Sequence, residues 1–115
     1  MYRIIIYISA VLLFCSCSEW NKDEAIIEIH DVSKTQSEKI IASIPEGKYV
    51  YKLKVRVHGE VSDTILVNNK TLGPGVVDAL IENGDYYEPS YTIDYRAPNT
   101  NEGNLKIELS FYHNF

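Results

Sequence analysis

Tyr49 to Val57 alternates in a way that confines this stretch to an extended chain. Tyr49, Tyr51, Leu53, Val55 and Val57 fall on one side; Lys52, Lys54 and Arg56, with His58 beyond them, fall on the other. Successive side chains of a strand point to opposite faces, so the pattern predicts a half-buried antiparallel strand with an apolar and a basic face.

The rest of the chain repeats the signal more weakly. Ile26, Ile27 and Ile29, interleaved with Glu28 and His30, predict a first strand, and the residues from Asp31 to Ser37 a turn. Glu38 to Ile44 fits either a helical face or a strand; a strand is preferred, because a lone helical turn would interrupt a β pattern, and Pro45-Glu46-Gly47 ends it. Gly59 through Asp63 supplies turn chemistry, after which Thr64 to Val67 is expected to pair back as a hairpin. Asn68-Asn69 and Gly73-Pro74-Gly75 bracket a loop, and Val76, Val77, Leu80 and Ile81 suit a short strand or one helical turn before Asn83-Gly84. Tyr91, Ile93 and Tyr95, then Leu105, Ile107, Leu109 and Phe111, alternate with polar residues across a polar turn from Ala97 to Asn104. Turn signals this regular, without a strong helical segment, predict an all-β fold: a small antiparallel β-sandwich of about six to eight strands over residues 26–115. Ig-like and jelly-roll-like strand orders would leave the same pattern.

The N-terminus has a different character. Arg3 is followed by an apolar run from Ile4 to Phe14, then Cys15-Ser16-Cys17-Ser18. The run is too short for a membrane span, which needs about 20 apolar residues, and polar residues from Ser18 close it. A positive start, an apolar stretch and a small residue before a cysteine resemble a bacterial lipoprotein signal peptide. Ser16 precedes Cys17 whereas Phe14 precedes Cys15, so the resemblance implies cleavage after residue 16 and lipidation of Cys17, although Phe14 stands where such signals usually carry Leu. Residues 17–25 would then be the lipidated cysteine and a flexible tether. The resemblance also implies a cell-envelope, outer-membrane location, with a membrane held through acyl chains such as palmitate. Lys22-Asp23-Glu24 looks like the short tract that sends some of these proteins to the cell surface, the periplasmic face being the alternative.

Cleavage would leave one domain without a free thiol or a fold-stapling disulfide, stabilised by its core alone. Of the 11 Lys and Arg residues only Arg3 would be lost, leaving ten against 16 acidic residues, a formal charge of −6. Nucleic acid is not an expected partner of so acidic a chain. Nine tyrosines outnumber three phenylalanines, which suits both strands and binding surfaces.

Two surfaces are candidates for binding. The row Lys52, Lys54, Arg56 and His58 could receive an acidic protein, an anionic glycan or lipid phosphates, or could simply be a solvated strand face paired with acids. Asp85, Tyr86, Tyr87 and Glu88, in a predicted loop from Asn83 to Pro89, could stack on a sugar or plug one end of the sandwich. Asp78, Glu82 and Asp85 lack EF-hand spacing, and His30, His58 and His113 stand apart, so no metal is expected. Without a thiol nucleophile, a Gly-x-Ser-x-Gly elbow or a phosphate loop, the remaining catalytic option is a carboxylate pair among Glu82, Asp85, Glu88 and Asp94. The expectation is a non-catalytic, cofactor-free envelope lipoprotein that binds an envelope protein or a glycan. The alternative is an immunity or inhibitor protein directed at an envelope-acting toxin or hydrolase.

Overall fold

The structure, a computed structural model, describes residues 21–115. They form eight strands: β1 (Lys22–Ile29), β2 (Gln36–Ile41), β3 (Val50–Val61), β4 (Ile65–Val67), β5 (Lys70–Leu72), β6 (Gly75–Asp85), β7 (Ser90–Arg96) and β8 (Gly103–His113). The first sheet runs β1-β8-β3-β6 and the second β2-β7-β4-β5. All the pairings are antiparallel. β1 pairs with β8, β2 with β7, β3 with β6 and β4 with β5, so the chain is one long hairpin rolled over on itself. This winding is the jelly-roll order; an immunoglobulin domain would instead group its first, second, fourth and fifth strands.

The core lies between the sheets. Leu53, Val55 and Val57 of β3 face Phe111, Leu109 and Ile107 of β8 across the ladder, and none of the six is more than 1 % exposed. Ile65, Val67, Tyr91, Ile93 and Tyr95 cover them from the second sheet. The alternation expected for β7 and β8 is therefore the burial pattern observed.

Four local readings need correction. β1 begins at Lys22 rather than Ile26, so residues 22–25 belong to the sheet and not to a tether. Its partner β8 supplies a complete ladder there, and Asp23 accepts a hydrogen bond from the Ser43 amide at 2.7 Å. In β3, Tyr51 is an extra residue between the pairs Val50–His113 and Lys52–Tyr112. Such a bulge shifts the inside–outside parity: Val50 is buried, Tyr51 half-buried and Tyr49 60 % exposed. Gly59 to Val61 stay in β3, and the turn after them crosses to the other sheet, so β4 does not form a hairpin with β3. Instead Asn68 and Asn69, at φ 50° and 67°, make a two-residue turn that pairs β4 with β5. Finally, β6 is a long strand that runs through Asn83-Gly84 to Asp85, because β3 opposite offers a partner along its whole length.

The connections gather at two ends. Residues 30–35, 62–64, 73–74 and 97–102 form one end, and Asn101 closes it. Its Oδ1 accepts from the amides of Ser62 and Asp63 at 3.1 and 2.9 Å; its Nδ2 donates to the Val32 carbonyl and the Tyr95 hydroxyl. Tyr95 in turn donates to the Val32 carbonyl at 2.6 Å. One buried amide thus joins three loops to a core strand, and a buried polar group satisfied this fully specifies geometry. Nearby, β3 and β8 approach so closely that only glycine fits at two positions. A Cβ on Gly59 (φ +148°) would collide with the Asn104 carbonyl, and one on Gly103 (φ +131°) with that of Glu60.

Asn101→Ala is expected to lower unfolding free energy by about 1–3 kcal/mol in urea titrations, because it removes the hydrogen bonds that join the loops and leaves the Asp63 amide without its partner. A loss below about 0.5 kcal/mol would show that this end is held by something else.

Candidate functional site

The outer face of the first sheet carries the basic row, and ladder register says what surrounds it. Reading across β1, β8, β3 and β6 gives Lys22, Tyr112, Lys52, Asp85; then Glu24, Ser110, Lys54, Asn83; then Ile26, Glu108, Arg56, Leu80; then Glu28, Lys106, His58, Asp78. With Glu60, the face holds five Lys or Arg side chains against six carboxylates. Arg56 Nη1 lies 2.8 Å from Asp78 and His58 Nε2 lies 3.4 Å from Glu108. The ammonium groups of Lys22 and Lys52, on the strands flanking β8, sit 5.5 and 5.1 Å from the Tyr112 ring centroid. Among the described residues Lys54 has no ion pair. The row is real, yet it is one line in a mixed-charge lattice, so its summed field does not select anions.

A shallow open groove of about 510 Å³ crosses this face, lined by Arg56, His58, Gly59, Val76, Val77, Asp78 and Glu108. Val76 is 80 % exposed beside it, and Leu80 and Ile26 are partly open on either side of the Glu108–Arg56 pair. An open groove cannot enclose most of a small molecule as ligand pockets do. Its apolar positions between paired charges suit a larger, complementary surface. Sequence reading did not place Glu108, Val76 or Asp78, the last considered there only as a metal ligand, on this surface. Alternation along β8 marks Glu108 as outward-facing, but only the register puts it, with Asp78 and Val76, beside Arg56 and His58.

The second candidate surface is divided. Asp85 ends β6 on the outer face opposite Lys52, and only Tyr86 to Pro89 form the loop. Tyr86 turns inward: its hydroxyl donates to the Ser90 carbonyl at 2.5 Å and its ring meets Tyr91 edge-on at 5.8 Å. Tyr87 stays outside, 67 % exposed, and Glu88 is exposed too. The paired tyrosines therefore do different things, one plugging the sandwich and one facing solvent. A pair of stacked platforms for a sugar is not formed.

A bulge in β6 explains an inward carboxylate. Ile81 is skipped between the pairs Arg56–Leu80 and Val55–Glu82, so Glu82 turns to the side of buried Val55. There the Tyr91 hydroxyl donates to Glu82 at 3.0 Å and accepts from Asn68 Nδ2 at 2.7 Å. Asn68 also receives the Asp94 amide at 2.6 Å, which locks the β4–β5 turn onto β7. Burial first, then the adjacent Glu82 carboxylate, pushes the Tyr91 phenol far above its ordinary value. Burial, with Glu88 and Glu82, raises Tyr86 also. Of the four carboxylates considered for catalysis, Glu82 points between the sheets while Asp85 lies on the outer face of the first. Asp94 lies on the outer face of the second sheet, so the four do not converge. Among the described residues no group of three or more His, Cys, Asp or Glu is placed to hold a metal ion. Cys17, the expected lipidation site, lies outside the described residues. No family model, curated protein or solved structure matches this chain.

Two outcomes follow for this region. Because both partners are more than a third exposed, Asp78→Asn should change stability by less than about 1 kcal/mol in urea unfolding. The tyrosines give a pH dependence. Their folded values are raised, so the native state holds more protons above about pH 10, and stability complete below that pH falls as pH rises through it. Folded protein at about pH 11 should show less tyrosinate absorbance than urea-unfolded protein, with a lower urea midpoint than at pH 8. Equal absorbance with an unchanged midpoint would contradict that reading.

Proposed function

We propose that this protein is an outer-membrane lipoprotein, acylated at Cys17, whose jelly-roll domain is a non-catalytic module that binds another envelope protein. The groove between the Arg56–Asp78 and His58–Glu108 pairs carries the reading. Exposed pairs such as these add little to folding, so their main energetic consequence is felt by whatever docks on them. Charges of both signs, interleaved with Val76, Leu80 and Ile26, complement a protein surface better than a phosphate or an acidic glycan, which would meet six carboxylates. The anchor rests on the signal-peptide resemblance, and Lys22, Asp23 and Glu24 are engaged in β1, so surface exposure rests on that resemblance alone.

The anchor is tested by mass spectrometry of the N-terminal peptide from cells fed labelled palmitate, which should begin at an acylated Cys17. The face is tested with a photo-crosslinking side chain at Val76, compared with one at Thr92 on the second sheet. The position 76 probe should trap one discrete envelope protein in intact cells, and Arg56→Glu with His58→Glu should abolish the adduct. An adduct indifferent to those changes, or equal from position 92, would exclude this face.

A further inference from the structure

The end of the sandwich from which the N-terminus leaves is also its most apolar rim. Six hydrogen bonds knit it together. The His113 amide donates to the Asn21 carbonyl, Asn114 to the Tyr49 carbonyl, and Tyr49 back to the Asn114 side chain. Ser43 donates to Asp23, Ala42 to the Pro89 carbonyl, and Tyr86 to the Tyr51 carbonyl. Around that seam Ile41, Tyr49, Tyr87 and Phe115 are between 60 % and 79 % exposed. They are four of the seven large apolar side chains left exposed among the described residues; the other three, Ile26, Val76 and Leu80, lie on the first sheet's outer face.

We propose that this rim rests on the surface of a zwitterionic phospholipid bilayer, with the opposite end of the sandwich pointing away. The inference rests on the anchor proposed above and goes beyond it, since an anchor alone leaves orientation open. Chain length supplies the argument. Because β1 starts at Lys22, only four residue steps separate Cys17 from Asn21, a span of at most about 14 Å when fully extended. A nine-residue tether would let the domain tumble; four steps hold the rim against the headgroups. The side chains suit that depth. Tyrosine sits at a membrane interface with its ring among acyl carbons and its hydroxyl in water, and Ile41 and Phe115 add apolar area. Glu46, Lys48 and Glu88 share the exposed rim, and Lys22, Asp23, Lys52 and Asp85 lie at the same end of the first sheet, which leaves the rim weakly acidic and favours neutral headgroups over anionic ones. In this orientation the groove faces sideways, clear of the bilayer.

The experiment uses the acylated full chain in phosphatidylcholine vesicles that contain a lipid with a photoactivatable headgroup. Labelled peptides are mapped by mass spectrometry. Peptides spanning residues 41–49, 86–89 and 113–115 should carry several-fold more label than those spanning 62–64 and 97–102. Tyr49→Ser with Tyr87→Ser, both outside the core, should bring the rim down to the level of the far end while vesicle retention persists. Replacing most of the phosphatidylcholine with phosphatidylglycerol should weaken rim labelling. A retained, acylated protein labelled evenly, or chiefly at residues 62–64 and 97–102, overturns the orientation and leaves the anchor standing. A chain with no acyl group, washed from the vesicles, overturns both.

Discussion

The antiparallel ladder between β3 and β8 is the constraint on which the rest of this molecule depends. Its inward pairs, Leu53 with Phe111, Val55 with Leu109 and Val57 with Ile107, form the wholly buried centre of the core. Each such cross-strand pair removes apolar area from water while satisfying backbone groups on both sides. β1 and β6 attach to the outer edges of this pair, and the second sheet is a lid laid over it. The pair joins residues far apart in sequence, so the order of the whole roll follows once it forms. Without a disulfide among the described residues, little else could hold it.

The ends show how a small sandwich finishes what its ladder begins. At one end a single amide, Asn101, meets backbone groups of two loops and the hydroxyl of Tyr95. At the other, Asn68 and Glu82 meet Tyr91 in a smaller version of the same device. In both cases a tyrosine contributes a ring to the core and a hydroxyl to the network, which explains why phenylalanine would not serve there. The abundance of tyrosine is thus partly architectural. Tyr91, Tyr95 and Tyr86 are spent inside, and Tyr112 lies on the outer face between two lysines. Tyr51 is half-buried in the β3 bulge, so among the described residues Tyr49 and Tyr87 are the exposed tyrosines, both on the rim where the chain enters.

Function, as proposed, follows from the separation of these features. The rim beside Asn21 would meet lipid and the sheet face would meet a protein partner, while the core strands between them fix the angle. A row that looks basic in one strand becomes nearly neutral when Glu108, Asp78 and Asp85 are brought alongside. An anion-binding reading therefore loses its physical basis, whereas a mixed-charge docking surface keeps it.

Alternation is a local property of an extended chain, so the sequence alone marked β3, β7 and β8 as strands and showed which residues of β7 and β8 point inward, whereas β5 read as a loop and β6 as either a strand or a helical turn. The sequence also determined that the fold is a sandwich, since each strand has one apolar face that must be covered. Sheet membership, register and the two bulges were decided only in three dimensions. Nothing within Val50-Tyr51-Lys52 says that Tyr51 will be skipped; that depends on where Tyr112 and His113 lie opposite. Nor does Thr64 to Val67 show that its turn crosses between sheets, since a hairpin and a crossover use the same residues. The candidate face was half legible for the same reason. Arg56 and His58 stand out along one strand, but Glu108 lies half the chain away and becomes their neighbour only through long-range pairing.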